Sequence, residues 1–182
     1  AGPSSMHNSV IALLYTIVLF ITSDFSRYLL HRLCHEIPIF WQFHQVHHSA
    51  EVMTPLTLYR SHPIENLVFV LRGIIVTGLV TGFFFYQYGT QAVQCQILGV
   101  NLFGALFNML GANLRHSHVW ISYGSLLERV FLSPAQHQIH HSDHPKHFGT
   151  NYGSCLAIWD WIGGSLSVAE GQQRVRFGLA SH

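Results

Sequence analysis

Residues 31–48 read HRLCHEIPIFWQFHQVHH, and residues 137–141 repeat the end of that pattern as HQIHH. Side chains three and four positions apart on a helix share one face, so each HxxxH or HxxHH group directs two or three imidazoles to one point. A further pair, His116 and His118, stands in RHSH. This spacing predicts a polyhistidine metal centre carried largely on helices. The number of histidines exceeds what one metal ion needs, which favours two ions.

The composition favours a membrane protein. The chain has 182 residues, a length typical of one domain, and only 9% of them are charged, against about 25% in ordinary soluble domains. A water-facing surface needs more charge than this. The formal net charge is +1 and no run of basic residues occurs, so we expect no nucleic-acid partner.

Three apolar runs are long enough to cross a bilayer, which takes about 20 residues. They cover approximately residues 9–30, 66–86 and 91–114. The predicted fold is all-α: an integral-membrane helical bundle of about three transmembrane helices, with a cytosolic helical cap that holds a histidine-rich dimetal centre. A soluble bundle is disfavoured because the charge to solvate its surface is missing. We expect residues 9–168 to form this domain, residues 1–8 a tail left by processing, and residues 169–182 a C-terminal tail.

Basic residues predict the orientation of the spans. Arg27, Arg32 and Arg60 stand around the connection between the first two runs, and Arg115 and Arg129 follow the third. The positive-inside rule then places residues 31–63 and 115–182 in the cytoplasm, with every histidine group on one side of the membrane. A multi-pass protein of a bacterial inner membrane or of the endoplasmic reticulum would have this topology.

Two further segments have a predicted conformation. We expect a helix to begin near Leu126 and to continue through the fourth histidine group, with Pro134 as a break or first-turn residue. The segment 156–166 is too short and too polar to span, and we expect it at the membrane interface with Trp159 and Trp161 as anchors.

The ligand type restricts the chemistry without naming the metal. Neutral imidazole binds Zn, Cu, Fe and Ni. Few carboxylates stand near the histidine groups, which excludes the Glu-rich sites of ferritin-like proteins. Two irons held by nitrogen would suit O2 activation against a lipid C–H bond, whereas zinc could occupy the same ligands without redox chemistry.

The motifs together resemble those of the integral-membrane fatty acid hydroxylase and sterol desaturase superfamily, from Asp24 to Leu166. HRLCH is similar to its HRxxH box, FHQVHHS to its HxxHHS box, and YRSHPIE to its RxHPxE stretch. SPAQHQIHHSDHPKHFGTNYGSCLAIWDWIGG resembles its closing signature, HxxHHS followed by NYG and WD. The separation of the first two boxes is shorter than in acyl-CoA desaturases.

The resemblance implies a non-haem di-iron enzyme that uses O2 and two electrons to hydroxylate or desaturate a lipid, such as a sterol or a fatty acyl chain. It also implies a separate electron donor, which could be cytochrome b5-like, a ferredoxin or a reductase. No catalytic residue beyond the metal centre is predicted. By this resemblance the ligand role is carried to nine histidines: His31, His35, His44, His47, His48, His116, His137, His140 and His141.

Three residues keep two interpretations each. His62, in RSHPIE, and His118 are either ligands or hydrogen-bond partners of ligands. Asp24 either accepts a hydrogen bond from a ligand imidazole or pairs with Arg27 or Arg72.

Two other functions remain alternatives. One is a membrane metal-binding or transport protein without redox catalysis, although transporters hold their ligands near the middle of the membrane. The other is a zinc hydrolase, which would require a carboxylate base as in HExxH, and the sequence has no such motif.

Overall fold

The computed structural model describes residues 3–89, 111 and 113–179. Within these ranges the chain is helical and contains no β-strand, only two isolated bridges, Phe131–Leu156 and Ser142–Phe177. This confirms the predicted all-α class. The α-helices are α1 Pro3–Glu36, α2 Pro38–His48, α3 Pro63–Tyr88, α4 Asn113–Arg115, α5 Pro134–His140 and α6 Ile158–Gly163. Short 3-10 helices cover Pro55–Tyr59, Leu127–Arg129 and Pro145–His147.

Proline sets the boundary between the first two helices. Ile37 is extended, with φ −101° and ψ 118°, because the residue before a proline avoids the helical region. Pro38 then occupies the first turn of α2, where its missing N–H is not needed. The chain therefore turns immediately after His35 and brings the second histidine group back beside the first.

Helices α1 and α3 pack antiparallel. Tyr15 meets the ring of Phe84 edge-on, with centroids 5.2 Å apart, and its hydroxyl lies 3.0 Å from Thr81 Oγ1. Near the other end of the pair, Arg72 Nη1 donates to Ser26 Oγ at 2.7 Å. The C-terminal end of α1 and the N-terminal end of α3 therefore lie together, which places His31 and His35 at the same end as the start of α3.

Two helical segments are long and apolar enough to cross a membrane, Asn8–Glu36 and Pro63–Tyr88. Only 22% and 11% of their most apolar windows are buried within the described residues. A core helix of a soluble protein would be mostly buried, so this exposure fits a lipid surrounding. The third predicted span, 91–114, lies almost entirely outside the described residues, and the predicted domain boundaries at residues 8 and 168 stay predictions.

The remaining segments fold against the ends of the long helices. The predicted continuous helix from Leu126 through the fourth histidine group is wrong, since the 3-10 helix Leu127–Arg129 and α5 are separate. Ser133 ends the connection by capping α5: its Oγ accepts from Gln136 N at 3.1 Å, while Gln136 Oε1 accepts from Ser133 N at 2.9 Å. This reciprocal capping box starts a new helix with Pro134 in its first turn.

Candidate metal centre

The fold brings all nine predicted ligand histidines into two adjacent groups. In each group, one nitrogen per imidazole lies within 4.8 Å of the others. The five-histidine group contains His31, His35, His44, His48 and His140; the four-histidine group contains His47, His116, His137 and His141. The two groups are in contact, because the rings of His48 and His141 stack with centroids 4.3 Å apart.

The two HxxHH motifs contribute to these groups in opposite senses. In α2, the i and i+4 histidines, His44 and His48, enter the five-histidine group, and the i+3 histidine enters the four-histidine group. At α5 the i and i+4 histidines, His137 and His141, enter the four-histidine group, and His140 crosses to the other. Each motif therefore joins the two groups, and the two candidate metal positions are parts of one centre.

In four of the imidazoles, Nδ1 is hydrogen-bonded to an oxygen atom of the protein. Four Nδ1 atoms donate hydrogen bonds, three to backbone carbonyls and one to a carboxylate: His31 to Tyr152 O at 2.7 Å, His140 to Thr150 O at 2.8 Å, His47 to Arg60 O at 3.2 Å, and His44 to Glu65 Oε1 at 2.6 Å. Carbonyl and carboxylate oxygens accept hydrogen bonds, so Nδ1 of each of these rings carries a proton. Their Nε2 atoms present lone pairs to the centre.

These lone pairs converge without protein donors to satisfy them. His31 Nε2 and His44 Nε2 lie 3.1 Å apart, although both rings carry their proton on the other nitrogen. Within the described residues, the buried Nε2 atoms of His35, His140 and His141 have no hydrogen-bond partner. Unpaired buried acceptors are costly, and facing lone pairs repel one another. A metal cation would remove both costs, so the donor set fits a metal centre.

Burial keeps five histidines of the centre neutral. Desolvation lowers the pKa of five of them, and charge repulsion between neighbouring rings lowers it further; they are His47, His48, His137, His140 and His141. For His140 burial outweighs the bond to Thr150 O and brings the pKa to about 3. The neutral imidazole is the form that binds a metal.

The three residues with open interpretations lie outside both groups. His62 caps α3, since its Nδ1 accepts from Ile64 N at 3.2 Å, and His118 is exposed. Asp24 is buried, but its carboxylate accepts from Cys155 N at 2.9 Å and from Trp159 Nε1 at 2.9 Å. These bonds attach the start of α6 to α1, and within the described residues no hydrogen bond joins Asp24 to an imidazole. Trp159, expected as an interface anchor, is committed to one of these bonds.

Residues 16–165 match the family described as fatty acid hydroxylase. The chain belongs to the fatty acid hydroxylase family. The match includes every histidine of the two groups.

Several curated proteins of this family are similar to the chain. Human alkylglycerol monooxygenase is 29% identical over 88% of this chain and 32% of its own length. An ornithine lipid hydroxylase of Rhizobium tropici is 32% identical over 80% of this chain and 40% of its own length. A Delta(7)-sterol 5(6)-desaturase of Aspergillus fumigatus is 28% identical over 79% and 36%. The chain thus spans about a third of the length of these relatives. No solved structure matches it.

Sequence reasoning missed the carboxylate of this fatty acid hydroxylase site. Glu65 is buried and binds His44, although the sequence shows it only as the last residue of RSHPIE. That motif was the available signal. Because α3 begins at Pro63, its first turn places Glu65 against α2, and the carboxylate holds the His44 imidazole in one tautomer.

A second missed feature is the support of His31. Asp160 Oδ1 accepts from Tyr152 N at 2.8 Å and Oδ2 from Gly153 N at 2.7 Å. These bonds fix the peptide whose carbonyl receives the His31 proton. A Cβ on Gly153 would lie 2.7 Å from Leu156 O and 2.8 Å from Asp160 Oδ2. The NYG and WD motifs thus act as one unit, and the glycine is required by space.

A third support, Glu128, had no signal in the sequence. It is fully buried, and its Oε1 accepts from Ser133 Oγ at 2.7 Å while Oε2 accepts from Ala169 N at 2.7 Å. Ser133 is the cap of α5. Glu128 therefore fixes the start of the helix that carries the fourth histidine group.

Proposed function

We propose that this protein is a membrane-bound non-haem di-iron oxidoreductase that uses O2 to hydroxylate or desaturate a lipid C–H bond. The observation that carries the proposal is the pair of adjacent histidine groups, whose unprotonated nitrogens converge in a buried site. Family membership and relatives named for reactions on alkylglycerols, ornithine lipids and sterols support a lipid substrate. The chain covers only part of those relatives, so substrate and activity are proposals for this chain.

The nine histidines would hold two iron ions, one in each group. Bound there, iron would activate O2 with two electrons per turnover, whereas zinc in the same ligands would support no redox step. The names monooxygenase, hydroxylase and desaturase among the relatives favour iron over zinc.

The chain's own residues prepare and protect the site. Glu65 and the carbonyl of Tyr152 keep His44 and His31 in the ligating tautomer. Burial of the histidine groups excludes water from the site, and it keeps His47, His48, His137, His140 and His141 neutral. Helix α1 ends and helix α3 begins beside the centre, and both expose apolar side chains along their length. A lipid in the bilayer can therefore approach the centre along their surface.

We further propose an integral, multi-pass location with the histidine groups on the cytoplasmic face, in a bacterial inner membrane or the endoplasmic reticulum. The two candidate spans and the arginines near the histidine end support this orientation. Electrons would come from a separate donor such as a cytochrome b5-like protein, a ferredoxin or a reductase.

Elemental analysis of protein purified in detergent without a metal-affinity tag tests the proposal first. Two irons per chain, with O2 consumption that depends on added lipid and reductant, would support it. Fully iron-loaded, reduced protein that consumes no O2 with any lipid extract would overturn it. Two zincs would locate the metal centre, and iron reconstitution followed by the same O2 assay would then decide the chemistry.

A further inference from the structure

A small apolar cavity lies between the first three helices, beside the metal centre. Its volume is about 40 Å³, above the roughly 10–15 Å³ that one water molecule requires. Side chains of all three helices line it, among them Leu30 and Cys34 of α1, Phe43 of α2, and Ile64, Glu65 and Val68 of α3. Of the described residues that line it, Glu65 is the only one with an oxygen atom in its side chain. The cavity therefore combines an apolar wall with a single carboxylate.

One oxygen of that carboxylate has no partner. Four carboxyl groups are buried in the described part of the chain, those of Asp24, Glu65, Glu128 and Asp160. Both oxygens of the other three accept hydrogen bonds. Glu65 is only 9% exposed, its Oε1 accepts from His44 Nδ1, and its Oε2 accepts from no described group. An unpaired buried acceptor is costly, so Oε2 indicates that a ligand supplies a donor.

The surroundings of Oε2 restrict the chemistry of that donor. Glu65 belongs to neither histidine group, so a metal ion held there would not satisfy it. A buried water needs about two to four polar partners, and apart from the Cys34 thiol the other walls are apolar. An ammonium group would bring three N–H donors to one free acceptor. A hydroxyl brings one donor, and the alkyl chain attached to it suits the apolar wall.

The cavity lies at the level where a membrane lipid holds its hydroxyl group. Glu65 is the third residue of α3, and Cys34 is two residues before the end of α1. Both therefore stand at the ends of the candidate spans, Pro63–Tyr88 and Asn8–Glu36. A hydroxyl stays at this level because the hydrocarbon core of the bilayer offers it no hydrogen-bond partner.

An apolar surface leads from the cavity toward the middle of the membrane. Ile64 and Val68 line the cavity four residues apart, on one face of α3. Leu71 and Ile75 follow on the same face, and both are exposed. An alkyl chain whose end lies in the cavity can therefore continue along α3 within the bilayer.

We propose that this cavity binds the hydroxyl end of a long-chain alcohol dissolved in the membrane, with the O–H donating to Glu65 Oε2 and the alkyl chain lying along α3. The same carboxylate accepts from His44 through Oε1, so the bound alcohol is one side chain away from the five-histidine group. The inference goes beyond the proposed function, because occupancy of the cavity requires neither metal nor O2.

Thermal unfolding of the full chain in phosphatidylcholine nanodiscs tests the proposal, with hexadecanol and its methyl ether as probes. The ether has the same chain and the same oxygen but no O–H donor. We expect a saturable rise of the unfolding midpoint with hexadecanol. Binding of the ether should be about tenfold weaker or more, the usual effect of losing a hydrogen bond to a charged group. Equal effects of the two probes would overturn the proposal.

Two matched variants on α3 locate the site. Val68→Trp fills the cavity with a larger side chain, whereas Val70→Trp makes the same change at a position that is exposed and does not line the cavity. We expect Val68→Trp to abolish the stabilisation by hexadecanol and Val70→Trp to retain it. The same response in both variants would overturn the assignment to this cavity.

Direct labelling replaces this comparison if Val68→Trp does not fold. A hexadecanol analogue with a diazirine beside its hydroxyl carbon is photoactivated on the unsubstituted chain, and the labelled residues are identified by mass spectrometry. We expect labels on Cys34, Phe43 or Val68 that excess hexadecanol suppresses, and labels confined to residues outside the cavity would contradict the proposal.

The same binding measurements on metal-free protein separate this proposal from the di-iron proposal. Hexadecanol should stabilise the metal-free chain as well, because no histidine of either group lines the cavity. Failure of the di-iron proposal would leave this binding in place. Absence of hexadecanol binding would overturn the cavity assignment and leave the measured iron content and O2 consumption unchanged.

Discussion

Glu65 Oε1 accepts a 2.6 Å hydrogen bond from His44 Nδ1, and both side chains are buried. This bond joins the start of α3, a candidate membrane helix, to the central imidazole of the five-histidine group. His44 Nε2 in turn lies 3.1 Å from His31 Nε2 and 3.2 Å from His48 Nε2. The carboxylate therefore determines that Nε2 of His44 is the nitrogen that faces His31 and His48.

Glu65→Gln should weaken metal binding about 10- to 100-fold, the usual effect of removing a carboxylate that orients a ligand histidine. The amide cannot accept as strongly, and it can place an N–H against the imidazole. Chelator competition followed by elemental analysis measures this. Glu36→Gln is the matched control, because Glu36 pairs with Arg32 on the surface at 2.7 Å. Equal metal retention by both variants would refute the role of Glu65.

The pair in RHSH offers a sharp test of the ligand assignment. His116 is buried in the four-histidine group, with Nε2 atoms of His47 and His137 at 3.2 and 3.0 Å, whereas His118 is exposed. We expect His116→Ala to reduce the metal content from two ions per chain toward one and His118→Ala to leave it at two. Elemental analysis of both variants decides this, and a loss of metal in His118→Ala would show that the ligand set is wrong.

Gly153→Ala should destabilise the fold by about 1–3 kcal/mol, the usual cost of overpacking. Its new Cβ would meet the Leu156 carbonyl and the Asp160 carboxylate below 3.0 Å. The displaced peptide is the one that orients His31, so metal affinity should fall as well. Gly73→Ala, whose Cβ would meet nothing within 4 Å, is the control for thermal unfolding in detergent. A melting temperature unchanged in Gly153→Ala would contradict the crowding argument.

Metal-free protein should lose stability as the pH falls below about 6.5. The folded pKa of His140 is lowered to about 3, mainly by burial, while an unfolded histidine titrates near 6.5. Between these values the unfolded chain binds a proton that the folded chain does not. Stability from this residue is therefore complete above pH 6.5 and decreases toward pH 3, by about 1.4 kcal/mol per pH unit.

Thermal unfolding of the metal-free protein between pH 8 and pH 5 measures this dependence. The other buried histidines with lowered pKa values titrate in the same direction, so the midpoint should fall steeply with acidification. A midpoint that is constant or rises across this range would show that the histidines are not buried as neutral rings.

Local patterns predicted the parts of this protein that depend on periodicity. HxxxH and HxxHH place imidazoles on one helix face because the helix has 3.6 residues per turn, and the structure groups all nine histidines. The two described spans follow from long apolar runs. The family motifs also led to the family assignment, which the match over residues 16–165 shows.

Prediction failed where the decisive partner is a backbone atom or is distant in sequence. Asp24 accepts from the N–H groups of Cys155 and Leu156, more than 130 residues away. Nothing in a sequence distinguishes those N–H groups from others, because every residue except proline has one. The helix expected from Leu126 onward was wrong for a related reason: the capping bonds of Ser133 and the buried Glu128 outweigh local helix preference.

The sequence by itself determined that two HxxHH motifs and one HxxxH motif present clusters of imidazoles, since their spacing matches the helical repeat. Only the tertiary structure decided how those imidazoles are divided between the two groups. His44 and His48 enter one group and His47 the other, while His137 and His141 enter the second and His140 the first. That division follows from which rings meet between α2 and α5: His47 and His48 both contact His141, and His48 also contacts His140. These contacts join residues about 90 positions apart, so the spacing within each motif does not determine them.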